Sequence, residues 1–188
     1  MNNPIETLVL EKYIIQIYDE LENHSTLSDY QTNYAENDPY QPSTRYGIKV
    51  YDHQDKLISS CLLSEYGGAT VINEDSLKIS GNALYLCCSE HVYALTIPDL
   101  KLNWKKQLDE ATCFSIYYLN EDFFVHGEMS LTRVDKAGNI KWQFSGADIF
   151  VTPEGRDDLR IDENKIRVKD FNYREYVLDF EGREISKP

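Results

Sequence analysis

The sequence is poor in positive charge. Its 188 residues include 19 lysines and arginines against 32 aspartates and glutamates, which gives a formal net charge of −13. A negative field of this size repels nucleic-acid phosphates and anionic lipid headgroups, so we expect neither nucleic acid nor a membrane as partner. The same charge either keeps a monomer soluble or steers a basic partner toward the protein, and composition alone leaves both open.

Long hydrophobic runs and paired-cysteine motifs are also missing. The first apolar stretch, Leu8 to Ile17, is interrupted by Glu11, Lys12 and Gln16. We therefore expect neither a signal peptide nor a membrane span there. The four cysteines lie in apolar, strand-like segments without CxxC spacing: Cys61, Cys87, Cys88 and Cys113. This pattern predicts buried, reduced thiols and a cytoplasmic protein.

The sequence has no recognisable catalytic or ligand-binding motif. Its four histidines form no HxH or HExxH pair, and there is no GxSxG elbow, DxDxDG loop or phosphate-cradling glycine pattern. We therefore assign no catalytic residue, no metal ligand and no cofactor. The sequence favours a protein that is not an enzyme.

What the chain does have is a repeated strand pattern. Fourteen tyrosines and seven phenylalanines against two methionines favour strands. Three segments share one pattern of apolar strand, polar turn and second strand: Val92 to Leu108, Leu131 to Phe144 and Tyr176 to Ile185. The clearest turns begin at Asp135 and Asp179, which lie 44 residues apart. Short strands repeated at about this period are typical of propeller blades.

Two earlier turns extend the repeat toward the N-terminus. Asp99 and Asp52 hold similar places, and the resulting units cover residues 5–70, 71–110, 111–152 and 153–188. The sequence therefore predicts a single all-β domain over residues 1–188. We expect a small propeller, or an open propeller arc, of about four antiparallel four-stranded blades.

The first unit is irregular. Leu8 to Tyr18 alternates as a single strand, although a helical face also fits these residues. A hairpin follows, formed by Arg45 to Tyr51 and Lys56 to Leu63. Residues 19–44 lie between these elements and are too numerous for an ordinary hairpin connection, so we interpret them as an inserted loop.

The segments Val92-Tyr-Ala-Leu95 with Asn103-Trp104, and Val134 to Trp142, resemble the quinoprotein-type (PQQ-like) β-propeller repeat. The resemblance covers Ser76 to Ile185, and Arg45 to Leu63 more weakly. It implies that the turn glycine allows a left-handed backbone and that the tryptophan packs between neighbouring blades. Enzymes of that family have seven or eight blades around a quinone and calcium. This chain is too short for that arrangement, so the resemblance gives it no cofactor residue.

The inserted loop is the strongest candidate binding region. From Tyr13 to Thr44 the chain contains six carboxylates and no lysine or arginine, with tyrosines interleaved. Tyrosine offers contact area at low entropic cost, and carboxylates attract a cationic partner. The predicted partner-binding residues are Asp29, Tyr30, Tyr34, Glu36, Asp38 and Tyr40. The alternative is a surface loop without a binding role.

Two functional hypotheses follow. The first is a non-enzymatic protein-binding module that docks a basic partner; one form of it is a cytoplasmic immunity or inhibitor-type protein that covers the basic site of a toxin. The alternative is a small-ligand-binding, hydrolase-type or lyase-type propeller. An axial pocket where carboxylates converge with His126 or His91 would favour that alternative. An open arc leaves unpaired sheet edges, so we expect either a monomer or an edge-paired dimer.

Overall fold

The computed structural model describes residues 3–21, 27–34, 41–152, 159–162 and 164–185. These residues form four sheets, which we number as blades 1 to 4. Blade 1 contains β1 (Glu6–Val9), β2 (Ile14–Asp19), β3 (Thr32–Asn33), β4 (Thr44–Tyr51) and β5 (Leu57–Glu65). Blade 2 contains β6 (Leu77–Ser80), β7 (Ala83–Cys88), β8 (His91–Thr96) and β9 (Leu102–Gln107). Blade 3 contains β10 (Cys113–Leu119), β11 (Asp122–Gly127), β12 (Leu131–Asp135) and β13 (Ile140–Phe144), and blade 4 contains β14 (Arg160–Asp162), β15 (Lys165–Lys169) and β16 (Glu175–Leu178).

Apart from β3, the strands of each blade pair as an antiparallel meander, and the predicted all-β open propeller arc is confirmed. Blades 2 and 3 each have four strands that pair in chain order. Among the residues that the structure describes, blade 1 has a fifth strand, β3, which belongs to the insertion, and blade 4 has three strands followed by a bridge between Leu178 and Glu184. The described strands of the first and last blades thus differ in number from the four that the repeat pattern predicts and that blades 2 and 3 show.

The interpretation of Leu8 to Tyr18 as one strand is also wrong. This segment contains a hairpin in which β1 pairs with β2, and the backbone N–H of Leu10 donates to the carbonyl of Tyr13 at 2.8 Å. The turn residues Glu11 and Lys12 are exposed. No glycine, asparagine or proline marks this turn, and the apolar alternation continues on both sides of it.

The core consists of three clusters, each between neighbouring blades. In β7 the side chains of Leu84, Leu86 and Cys88 pack toward blade 1. Ala83, Tyr85 and Cys87 pack on the opposite face toward blade 3. A third cluster joins blades 3 and 4 around Phe124 and Phe150. Because side chains alternate between the faces of a strand, each inner blade supplies apolar groups to two clusters.

An aspartate organises the turn before the last strand in three blades. The Asp135 Oδ1 atom accepts from the backbone N–H groups of Ala137 and Asn139, both at 2.9 Å. Gly138 then adopts a φ of +83°, which glycine reaches without a steric penalty. Asp52 accepts two backbone N–H groups and Asp179 accepts one in the equivalent turns.

The assignment of Asp99 to this role in blade 2 is wrong. Thr96 holds the position instead, because its hydroxyl oxygen accepts from the backbone N–H of Lys101 at 3.1 Å. Leu100 has the positive φ, at +53°. This turn is one residue longer than the turns at Asp52, Asp135 and Asp179. Alignment of the repeats by sequence therefore matched Asp99, instead of Thr96, with those aspartates.

A tryptophan on the outermost strand joins each of the later blade pairs. Trp104 in β9 donates its indole N–H to the carbonyl of Lys136 in blade 3 at 2.9 Å. Trp142 in β13 donates to the carbonyl of Phe180 in blade 4 at 2.8 Å. The two indoles lie between neighbouring blades, as the resemblance to the propeller repeat implied.

Candidate functional site

The described part of the insertion lies against blade 1. A 3-10 helix covers Leu27–Asp29, and the short strand β3 pairs in parallel with β5, with Thr32 opposite Cys61. Gln31 strengthens this contact, because its backbone N–H donates to the Ser60 hydroxyl at 3.0 Å and its side-chain oxygen accepts from the Ser60 N–H at 3.1 Å. The insertion therefore covers part of the outer edge of blade 1.

Tyr30 holds the insertion in place from inside the protein. Only 7% of its surface is exposed, and its hydroxyl donates to the buried carboxylate of Glu20. Its ring occupies the space next to Gly47 that a larger residue would fill. Burial, followed by the hydrogen bond to Glu20, raises the pKa of Tyr30 well above its usual range.

Tyr34 replaces a missing tryptophan between blades 1 and 2. In the strand pairing, Ser59 holds the position in blade 1 that Trp104 and Trp142 hold in blades 2 and 3. The Ser59 hydroxyl donates to the carbonyl of Pro98 in the blade 2 turn. Tyr34 adds its hydroxyl, which donates to the Leu100 carbonyl at 2.9 Å and accepts from the Leu102 N–H at 3.0 Å.

The six predicted partner-binding residues lie in different surroundings. Asp29 is exposed, whereas Glu36, Asp38 and Tyr40 lie outside the described residues. Tyr30 and Tyr34 have the structural contacts given above. The prediction that these six residues bind a partner stays a prediction.

An open cavity of about 440 Å³ lies on the inner side of the arc. It is formed by the loop before β6, the beginning of β10 and the loop after β13. Three rings form its floor: His126 lies 5.8 Å from Phe114 and 6.3 Å from Phe150, measured between ring centroids. His126 and Phe150 are almost fully buried, while Phe114 is partly exposed. Val71 and Val151 add apolar wall.

The rim of the cavity is acidic. Glu74 and Asp75 are exposed and line it, together with Asn73 and Ser115. Lys78 lies beside the rim, where its ammonium group is 3.6 Å from Asp75 Oδ1 and donates to the Glu74 backbone carbonyl at 2.6 Å. No lysine or arginine belongs to the described lining.

A second group of titratable residues joins blades 1 and 2. The buried carboxylate of Glu65 accepts from the Tyr93 hydroxyl and lies 2.8 Å from Lys105 Nζ and 3.2 Å from His91 Nδ1. Burial alone would raise the pKa of Glu65, but the favourable interactions with His91, Lys105 and Tyr93 bring it below its usual value.

Two residues of this group, together with the neighbouring Glu90, have the geometry of metal ligands. Glu65, Glu90 and His91 each offer one ligand atom, and these atoms lie within 4.8 Å of one another. The Lys105 ammonium already neutralises Glu65 at contact distance, so a cation would have to displace it. We interpret the group as an ion-pair network that stabilises the boundary between blades 1 and 2.

Asp109 is a buried carboxylate with a structural role. Its Oδ1 atom accepts from the N–H groups of Ala111 and Thr112. Its Oδ2 atom accepts from the N–H groups of Met129 and Ser130 and from the Ser130 hydroxyl. These bonds hold the loop between blades 2 and 3 against the β11–β12 turn. Both carboxylate oxygens of Asp109 are therefore occupied by hydrogen bonds within the fold.

The connecting loops divide into two ends of different charge. One end contains the loops 66–76, 89–90, 108–112, 128–130 and 145–152, which are linked by cross-blade hydrogen bonds such as Gly68 N to Ala111 O at 2.8 Å. We call it the acidic end, because the described residues of these five loops contain no lysine or arginine. The last of these loops continues beyond residue 152 into residues that the structure does not describe, and its sequence there includes Arg156. Their exposed or partly exposed acids are Glu74, Asp75, Glu90, Glu110, Glu128 and Asp148. The 170–174 turn at the same end adds one cation, Arg174.

The opposite end carries charges of both signs. Its turns contain Lys12, Lys56, Lys101, Lys136 and Arg183 beside their acids. The insertion leaves β2 and returns to β4 at the acidic end, and the cavity is also there. Sequence reasoning placed no functional residue in these loops, because the acids are widely spaced along the chain and only the antiparallel folding of each blade gathers them.

Comparison with known proteins shows the fold only. No family model and no curated protein matches the chain. Among solved structures, the crystal structure of BamB from Moraxella catarrhalis, a β-propeller protein, matches with a TM-score of 0.53 and 11% identity over 100% of this chain and 53% of that one. The AfRom2 CNH domain has a TM-score of 0.48 and 10% identity over 97% of this chain and 57% of that one.

The chain thus spans about half the length of each of these two structures. Among the described residues, no helix has the length and apolar character needed to cross a membrane. The likeness to BamB supports the β-propeller type of fold for this chain.

Proposed function

We propose that this chain is a non-enzymatic protein-binding module whose partner presents a basic surface to the acidic end. The observation that carries the proposal is that the described residues of the five acidic-end loops contain no lysine or arginine, whereas the turns at the opposite end contain five. Charges of one sign gathered on one face raise the association rate with an oppositely charged partner and select against like-charged proteins. The insertion extends from the same end and adds further carboxylates to the contact.

Two finer features belong to this proposal. The partner is a toxin or enzyme with a basic active site, and this chain is the cytoplasmic immunity or inhibitor-type protein that covers it. Binding takes place as a monomer or as an edge-paired dimer. Net negative charge without a catalytic motif supports the first feature, and the open arc supports the second.

The test is affinity capture from the source cell at low and high salt, followed by mass spectrometry. The wild-type chain is compared with a variant that carries Glu74→Gln, Glu110→Gln and Glu128→Gln at the acidic end. The control carries Asp55→Asn, Asp99→Asn and Glu181→Gln at the opposite end and removes the same net charge. We expect a basic partner whose binding weakens about tenfold or more in the first variant and with rising salt, and little in the control.

Capture of only neutral or acidic proteins would overturn the proposal. Equal weakening in the two variants would overturn the assignment of the acidic end. Size-exclusion chromatography with light scattering distinguishes a monomer from a dimer.

A second candidate function is binding of a small polar ligand in the cavity. The convergence of Glu74, Asp75 and His126 on one cavity favours it. Calorimetric titration with sugars and other polar metabolites tests this candidate. A saturable heat that persists in a variant carrying only Glu110→Gln and Glu128→Gln, but is lost on Phe114→Leu, would favour it over the protein-binding module.

A further inference from the structure

We propose that the cavity receives an arginine side chain of the basic partner. This inference rests on the proposed function and deepens it by naming the group that is recognised. It depends on three properties of the cavity: its aromatic floor, its charge and its size.

The aromatic floor suits a planar cation. Phe114, His126 and Phe150 lie next to one another, and the partly exposed Phe114 presents its ring to the cavity. A guanidinium group stacks on aromatic rings and is more weakly hydrated than an ammonium group, so it loses less on entering a partly apolar site. Val71 and Val151 offer apolar contact to the methylene groups of the same side chain.

The charge of the rim selects a cation. The Glu74 carboxylate makes no ion pair with any residue in the described chain, while Asp75 shares Lys78. A guanidinium stacked on Phe114 would share the cavity with these two carboxylates and could bind one of them through two parallel hydrogen bonds. An anionic ligand would meet the net negative charge of the acidic end without a compensating lysine or arginine in the described lining.

The volume of the cavity suits an arginine side chain that belongs to a protein. A volume of about 440 Å³ lies in the range of pockets that take small ligands. It holds one long side chain together with the main chain beside it. The cavity opens among the loops of the acidic end, so a partner docked on those loops would reach it directly.

The experiment is a nuclear magnetic resonance titration of the labelled full chain with three probes: acetyl-Gly-Arg-Gly-amide, the same peptide with citrulline for arginine, and free arginine. Citrulline keeps the shape of arginine and removes the charge. We expect saturable shifts of the Val71, Ser115 and Val151 amides with the arginine peptide, and binding at least tenfold weaker with the citrulline peptide.

Two variants and one control sharpen the result. Phe114→Leu should weaken the arginine peptide about fivefold by removing the stacking ring. Glu74→Gln should weaken it about threefold, and because Glu74 is exposed this variant should remain folded. Asp55→Asn, at the opposite end, should leave the affinity unchanged.

Each other outcome overturns the inference. Absence of saturable shifts, or equal binding of the two peptides, excludes recognition of a guanidinium. Free arginine binding as tightly as the peptide assigns the cavity to a metabolite. If the captured partner binds Phe114→Leu and wild type alike, the inference fails while the proposed function stands; if no basic partner is captured, the proposed function itself fails.

Discussion

The indole N–H of Trp142 donates to the carbonyl oxygen of Phe180 across the boundary between blades 3 and 4, at 2.8 Å. The same indole lies against Gly182, where an added Cβ would come within 2.5 Å of its Cδ2 atom. Trp104 repeats the arrangement one blade earlier on Gly138, with an added Cβ at 2.9 Å. The same contact between a tryptophan and a turn glycine therefore joins blade 2 to blade 3 and blade 3 to blade 4.

We predict that Gly182→Ala lowers the free energy of unfolding by about 3 kcal/mol, because it combines backbone strain at a φ of +79° with a clash against the indole. The control is Gly81→Ala, which has a φ of +62° but open space around an added Cβ. It should cost only about 1 kcal/mol. Urea unfolding measures both, and equal costs would contradict a role for the indole contact.

We predict that Gly47→Ala displaces Tyr30 and releases the insertion. The added methyl group would occupy the position of the Tyr30 hydroxyl, so the hydrogen bond to Glu20 would be lost. Ultraviolet titration should then show the pKa of one tyrosine falling toward its ordinary value, and proteases should cut residues 19–44 faster. In a Tyr30→Ala background the same substitution should cost much less stability; an equal cost would show that Gly47 acts independently of Tyr30.

Glu65 should make stability depend on acidity. Its pKa in the folded protein is lower than in the unfolded chain, so its contribution is fully present above the unfolded value near 4.5 and is lost as pH falls through the folded value. We predict that Glu65→Gln flattens the acid side of a plot of unfolding free energy against pH. At neutral pH it should cost about 3 kcal/mol, because Lys105 loses its buried partner.

Urea unfolding at a series of pH values measures this effect. Glu74→Gln is the matched control, because its carboxylate is exposed. It should leave both the slope and the neutral-pH stability nearly unchanged. Parallel curves for wild type and Glu65→Gln would contradict the prediction.

We predict that Asp109→Ala destabilises the protein by about 3 kcal/mol, because it leaves the buried N–H groups of Thr112 and Ser130 without their acceptor. Asp99→Ala removes an exposed aspartate and should stay within about 0.5 kcal/mol of wild type. Thermal unfolding compares the two. A small loss for Asp109→Ala would mean that water replaces the carboxylate.

The repeat was predictable from sequence where local signals agree. In blade 2, period-two alternation and the Gly81-Asn82 turn predicted β6 and β7 within one residue. The turns at Asp135 and Asp179, and the tryptophans after Asp135 and Thr96, were recognisable because residue type and spacing are tied to backbone geometry. These signals are local and depend on few residues.

Features that depend on long-range packing were missed. The β1–β2 turn at Glu11 and Lys12 lacks turn residues, so the alternation of apolar residues concealed it. Tyr30 gave no sign that it would be buried, because the space beside Gly47 exists only after β4 has paired with β2. The cavity brings together residues from the loop before β6, from β10 and from β11, and its aromatic floor has no local signature.

The four cysteines are divided between two of the three core clusters. Cys61 and Cys88 lie between blades 1 and 2, and Cys87 and Cys113 lie between blades 2 and 3. Burial raises the pKa of each thiol, so these groups are shielded while the blades remain in contact. The rate at which a thiol-reactive dye labels these cysteines would therefore report how fast each of the two blade boundaries opens in the unaltered protein. Identifying the labelled residues would show which boundary opens first.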